Sequence, residues 1–326
     1  MYDFSPKSRA YRSITLTACR HRTLPARVYG AEKRIMSENA ITALIDRQDW
    51  LDTASGAVQN AVTSVYQRAG EAGQAVKDAL HGTWMGHPLH AAITDVPVGA
   101  WTAAVVMDAM DELTPSKSLR QGADAAVAIG LAGATVSAVS GLTDWSATDG
   151  RARKIGLVHG MLNVAAFGLF AASYAMRKAD KRSEARALGA IGYVIAFGSA
   201  WLGGHLVYGE QIGVDHTIGQ EFPQHFTPVM PEGELAEGQM VRVRPNGARV
   251  LLAKKEGRVY AIAEVCSHLG GPLSEGELNG TEVTCPWHGS CFSLEDGRVI
   301  HGPATHPQPV LETRIQNGQI EVRASR

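Results

Sequence analysis

Cysteine is scarce in this 326-residue chain: Cys19, Cys266, Cys285 and Cys291 are the whole set, and three of them crowd into the last fifth. So few thiols, so unevenly placed, make a poor disulfide framework and point to metal chemistry. A net charge of −1 and a pI of about 6.9 leave no basic field for nucleic acid. Residues 1–35 carry eight Lys or Arg against two acids, with neither an apolar run long enough for a signal peptide nor a twin-arginine signal. Residues 1–36 therefore read as a disordered or artefactual extension, with Met36 as the alternative start. Charge is also scarce between 91 and 208, where it is confined mostly to short loops. The mean hydropathy of −0.08 conceals that split.

Residues 37–85 form the next segment. Val58, Val62, Val65, Ala69, Ala72, Val76 and Leu80 recur at helical spacing and predict an amphipathic helix over 39–80, packed against a neighbour or lying on a membrane surface. Residues 86–210 hold four apolar segments, at 92–111, 123–143, 155–176 and 187–208, each near the ~20 residues that span a hydrocarbon core. A soluble bundle needs charged outer faces, and these segments lack them. Their many glycines and alanines suit close packing of helices in lipid. Asp95 and Asp108 interrupt the first segment, and an acid at that depth is costly unless it faces the bundle interior or an interface.

After a polar, Pro-containing linker at 211–225, residues 226–326 read as short strands at 239–244, 249–254, 258–264, 281–285, 290–294, 308–314 and 319–323. The turn pairs Asn246-Gly247, Glu256-Gly257, Asn279-Gly280, Asp296-Gly297 and Asn317-Gly318 punctuate them. An antiparallel β-sandwich is expected. Within it stand Cys266-Ser267-His268 and, with sixteen residues between His268 and the next cysteine, Cys285-Pro286-Trp287-His288. A Cys2His2 zinc site uses the same residue types but usually puts both cysteines in one knuckle, whereas here each loop supplies one of each.

With Leu269-Gly270-Gly271-Pro272, Gly289-Ser290 and Gly302-Pro303-Ala304 around them, these loops resemble the Rieske domain. The resemblance implies a [2Fe-2S] cluster, with Cys266 and Cys285 on one iron and the neutral ligands His268 and His288 on the other. The expected architecture is thus multi-domain: an all-α transmembrane four-helix bundle followed by an all-β Rieske iron–sulfur sandwich. High-potential quinol-oxidising members carry two further cysteines as a disulfide where this chain has Gly271 and Trp287. They also place a tyrosine near a cluster sulfur where this chain has Phe292. A potential at the low end of the ~−150 to +300 mV Rieske range follows, as in ferredoxin-type modules of dioxygenase systems. Cys291 takes no role. Only 38 residues follow His288, too few for the separate iron domain of an oxygenase.

The helical region, from Gly86-His87-Pro88-Leu89-His90 through Thr143-Asp144-Trp145 and His159-Gly160 to Gly203-Gly204-His205, resembles an uncharacterised family of bacterial membrane domains. Four antiparallel spans put His87, His90, Asp144, His159 and His205 on one membrane face with the Rieske domain. Three readings stand for these histidines: structural hydrogen bonding, a b-type haem or other metal site with His159 and His205 as the pair, and a quinone pocket. A mononuclear site at His87, His90 and Asp95 is a further candidate. Loop charges favour an exterior Rieske domain and cytosolic cluster assembly an interior one; the expectation leans cytoplasmic, in a cell inner membrane. The functional expectation is a membrane-anchored carrier relaying single electrons between a membrane redox partner and another protein, a reductase, oxygenase or respiratory component. The alternative is a quinol or haem-linked oxidoreductase using the bundle; as rivals, a simple tether and a redox sensor remain.

Overall fold

The structure, a computed structural model, describes residues 40–325. Cys19 and the 1–36 extension lie outside them. Three helices come first: α1 (Ala40–Asp46), α2 (Trp50–Arg68) and α3 (Gly70–His81). The single helix expected over 39–80 is broken, and the break at α2–α3 is built from glycine. Gly70 takes a left-handed φ of +55°, and a Cβ on Gly73 would overlap the Tyr66 carbonyl, where the second helix crosses the end of the first.

The valine stripe does not do the packing that was expected of it. Leu51 is buried with Ile155 and Leu202, while Gln59 Nε2 donates to the carbonyls of Trp145 and Thr148, and the Tyr66 and Thr143 hydroxyls lie 2.6 Å apart. Val58, Val65 and Val76 are left exposed.

The membrane region comprises α4 (Leu89–Ile93), α5 (Asp95–Leu113), α6 (Lys117–Trp145), α7 (Gly150–Lys178) and α8 (Arg182–Tyr208). Among the described residues, four helical stretches are long and apolar enough to cross a membrane: Leu89–Leu113 and the whole of α6, α7 and α8. They outrun the expected segments because charged residues continue the helices instead of ending them. At the start of α7, for example, Arg153 and Lys154 reach Asp52, and Lys154 also reaches the Asp46 carbonyl. The outer faces are apolar: Val164 and Phe197 are each 72 % exposed, the arrangement of helices solvated by lipid.

At the bundle centre Trp101 and Phe170 stack with ring centroids 4.1 Å apart, and Gly130 and Gly192 leave the room they fill. Asp108 faces inward as the cost of burial requires, held by both terminal nitrogens of Arg177. Asp124 accepts from Arg177 and Arg182, and Arg186 pairs with Asp111 and Glu112.

The C-terminal part has two antiparallel sheets. The first orders β1 (Thr227–Pro231), β10 (Gln319–Ala324), β9 (Val310–Gln316), β4 (Arg258–Ala263), β3 (Val250–Lys255) and β2 (Met240–Val243). The second orders β5 (Glu277–Asn279), β6 (Glu282–Thr284), β7 (Cys291–Ser293) and β8 (Val299–His301). Period-two alternation sorts β3 between two cores. Leu251 joins Ile262, Leu273 and Phe292 between the sheets, while Val250 and Leu252 join Leu311, Ile320 and Val322 on the other face. All seven expected strands are present, and β1, β5 and β8 are additional.

Candidate metal centre and its seat on the helical bundle

Each Cys/His motif forms a loop closed by the same two backbone bonds. Cys266 N–H donates to Gly271 O and Gly270 N–H to Cys266 O; Cys285 N–H donates to Ser290 O and Gly289 N–H to Cys285 O. The closure needs a left-handed residue four positions after the cysteine, and Gly270 (φ +79°) and Gly289 (φ +76°) supply it. The polypeptide between cysteine and glycine then arches over the thiol. Backbone N–H groups of His268 and Leu269 point at the Cys266 sulfur, and those of Trp287 and His288 at the Cys285 sulfur.

The four candidate ligands separate into two layers. Cys266 and Cys285 are buried at the base within hydrogen-bonding reach of each other, and the His268 and His288 rings lie above with centroids 5.1 Å apart. The shared bond between thiols pushes Cys266 up, with burial adding to it, and pulls Cys285 down to about 7. Burial holds both imidazoles below their ordinary value, well below for His268, where the facing His288 adds to it. Neutral imidazoles over a thiol pair are the donor set that a split two-cysteine, two-histidine cluster requires, so the residues fit the group.

A third segment supports both loops. Ser267 Oγ donates to His306 O, and Ser290 Oγ accepts from Ala304 N–H. Gly271 and Trp287 are neighbours: a Cβ on Gly271 would stand 2.8 Å from the Cys285 sulfur and 3.1 Å from the indole. Phe292 is fully buried and brings no hydroxyl. Cys291 lies on β7, its thiol pushed up by burial, with Glu282 Oε2 3.8 Å away.

The imidazole tip rests on the end of the bundle. Asp78 of α3 accepts from Gly302 N–H through Oδ1, and its Oδ2 lies 2.9 Å from His301 Nδ1. His81, completely buried and bonded to Asp144 at 2.7 Å, lies under Gly302. Asp149, in the α6–α7 loop, stands 3.5 Å from His288 Nε2, and His216 N–H donates to Ser267 O. His87 meets His306 edge to face. Asp78, His81, Asp149 and His306 were not singled out from the sequence. Asp78 falls within the helix expected over 39–80 and His81 just past it, and no motif marks either.

The membrane histidines divide differently from the expected pairing. The His159 ring lies 6.4 Å from that of His90, while His205 stacks on Trp201 and faces Glu210. Among the described residues, no three His, Cys, Asp or Glu gather as they would around a single ion. His87, His90 and Asp95 form no such group.

A two-sheet domain whose paired loops carry one cysteine and one histidine each defines an iron–sulfur domain of the split-ligand class. Residues 225–314 match the Rieske [2Fe-2S] domain, and residues 86–216 match the family described as a predicted membrane protein, DUF2231. The ferredoxin component of the p-cumate 2,3-dioxygenase system of Pseudomonas putida is 35 % identical over 91 residues, 27 % of this chain and 77 % of that protein. Human apoptosis-inducing factor 3 is 36 % identical over 93 residues, 28 % of this chain; the chain spans only 15 % of its length. Among solved structures, the complex of reduced oxygenase and oxidized ferredoxin in carbazole 1,9a-dioxygenase is similar at 30 % identity, 31 % of this chain, 94 % of that chain and a TM-score of 0.30. The chain belongs to the Rieske [2Fe-2S] family through its C-terminal domain, which is joined to a membrane domain.

Proposed function

We propose that this protein is a membrane-anchored Rieske carrier that relays single electrons between a membrane redox partner and a second protein. One observation carries the reading: the two-layered set of thiols and imidazoles sits on a domain that follows four apolar spans, with its imidazole tip against their end. Cys266 and Cys285 would hold one iron and His268 and His288 the other, and the group so held would supply one-electron chemistry without substrate chemistry. The N–H groups aimed at the sulfurs stabilise the thiolates, and Asp78 holds the Gly302 loop on α3. The domains run as 37–85 (helices on the membrane surface, exposed valines toward lipid), 86–210 (four-helix membrane unit), 211–225 (linker) and 226–326 (Rieske domain). The Rieske domain faces the cytoplasm, where clusters are assembled. Ferredoxin components of dioxygenase systems among the relatives favour a soluble oxygenase or reductase as the second protein.

Full-length protein purified in detergent is expected to hold two irons and two acid-labile sulfides per chain and to give an anisotropic EPR signal when reduced. That signal is lost or changed in character in H268A or H288A. In liposomes, reduction by a soluble ferredoxin reductase supports the relay. Reduction by a quinol alone supports the quinol oxidoreductase instead, and zinc without sulfide overturns both.

A further inference from the structure

The four spans are two copies of one helical hairpin. A shift of 69 residues carries α4–α5 onto α7, pairing His90 with His159, Trp101 with Phe170 and Asp108 with Arg177. A shift of 62 residues carries α6 onto α8, pairing Gly130 with Gly192, Ser137 with Ser199 and Gly141 with Gly203. The paired positions make matching interactions. His90 Nδ1 lies 2.8 Å from Ser137 O, and His159 Nδ1 lies 2.8 Å from Ser199 O. A Cβ on Gly141 would press on His90, and one on Gly203 on His159. Two further pairs, Trp101 with Phe170 and Asp108 with Arg177, meet one another, and Gly130 and Gly192 lie against Trp101 and Phe170. A pseudo-two-fold axis therefore runs down the bundle, with one imidazole from each hairpin beside it.

We propose that His90 and His159 form a second metal centre on this axis, taking a transition metal ion between two imidazoles, either a free divalent ion or the iron of a haem. A carbonyl oxygen only accepts, so both Nδ1 atoms carry the proton and both Nε2 atoms keep the lone pair that a metal needs. A backbone carbonyl on the far nitrogen is the usual support of a metal-ligating histidine. Two nitrogens each ~2 Å from one ion, on opposite sides of it, place imidazole centroids about 6 Å apart, and the observed separation is 6.4 Å with ring planes 85° apart. Asn163 Nδ2 now donates to His159 Nε2 at 3.0 Å, and the ion takes its place. One helical turn before His90, His87 touches His306, so the pair lies at the bundle end that receives the cluster loops.

The test titrates full-length, cluster-loaded protein in detergent with haemin and, separately, with Co2+, following the Soret and the visible d–d bands. One probe is expected to bind at one equivalent per chain, or the protein to arrive with one haem already bound. H90A and H159A each weaken binding by more than about tenfold, while H205A leaves it unchanged. Sulfide content, read in the same samples, reports separately on the Rieske cluster. Should the alanine variants fail to assemble, H90Q and H159Q carry the same measurement. Equal binding of both probes by wild type and the H90A/H159A double variant overturns the proposal, as does loss of binding in H205A.

Discussion

The β domain and the helical bundle both bring donor side chains together, but they do so over different lengths of chain. In the β domain each cysteine is fixed by a ring of six residues closed through backbone bonds, and a single left-handed glycine sets the arch. In the bundle the facing residues are 69 positions apart, and side-chain packing alone sets where they meet. Local closure writes itself into a short motif. Long-range packing leaves almost no local trace.

The sharpest way to break this contrast is to remove what holds the hairpins together. Arg177 is buried against Asp108, with Asp124 as a second partner. Arg177→Ala strips the buried Asp108 carboxylate of its hydrogen-bonded partner and leaves only the Arg186 Nε at 3.9 Å, at a cost of about 3–5 kcal/mol. Thermal unfolding in detergent, followed by far-ultraviolet circular dichroism for the helices and by visible absorbance for the cluster, is expected to show the helices melting well below the wild-type temperature. The cluster absorbance should persist through that first transition. Adding Asp108→Asn to the variant should restore part of the loss. Simultaneous loss of both signals would mean that the β domain relies on the bundle for its own stability.

The same contrast explains what was legible in the sequence. The Cys/His loops, the turn pairs and the four apolar segments were readable because each is a local pattern. Three strands were not. β1 contains two prolines, while β5 and β8 have three residues each, as β6 and β7 do, but without the Cys285–Ser290 loop that marks the ends of those two. The hairpin duplication was hidden because several of its facing positions are complementary where His90 and His159 are identical: Trp opposite Phe, and Asp opposite Arg. The pairing of His159 with His205 assumed only that both lie in spans, and the packing puts His90 beside His159. The seat of the Rieske tip on Asp78 and His81 has no local signature either, since a buried docking face and a solvated helix face share the same polar residues.

Within the β domain, Phe292 gives a smaller effect that acts on the cluster alone. It is fully buried at the position where high-potential relatives present a tyrosine hydroxyl. Phe292→Tyr is expected to raise the midpoint, because a hydroxyl near a cluster sulfur favours the reduced, more negative form. A bond worth about 1 kcal/mol more to that form corresponds to roughly 40 mV in a one-electron couple. An EPR-monitored titration measures it against the wild type, itself expected at the low end of the Rieske range. An unchanged midpoint in a variant with intact g-values would show that the new hydroxyl does not reach the sulfur.

The smallest effect lies furthest from the cluster, at the β3–β4 turn. Glu256 and Gly257 both adopt left-handed backbone (φ +55° and +73°), and their N–H groups donate to the Glu237 carboxylate at 2.6 and 3.1 Å. The turn pair was readable in the sequence, whereas the carboxylate that caps it from nineteen and twenty residues away was not. Those two bonds hold the Glu237 carboxyl below its ordinary value, the one from Gly257 contributing most. A carboxyl depressed in the folded state stabilises it above the unfolded pKa of about 4.3, and that contribution is lost as pH falls through the folded value. Glu237 is fully exposed, so water and salt screen the effect and keep it slight. Melting curves of wild type and E237Q should differ by a small constant amount near neutral pH and converge as the solution is acidified. A difference that stays unchanged down to the acid limit would assign the cap to shape and not to charge.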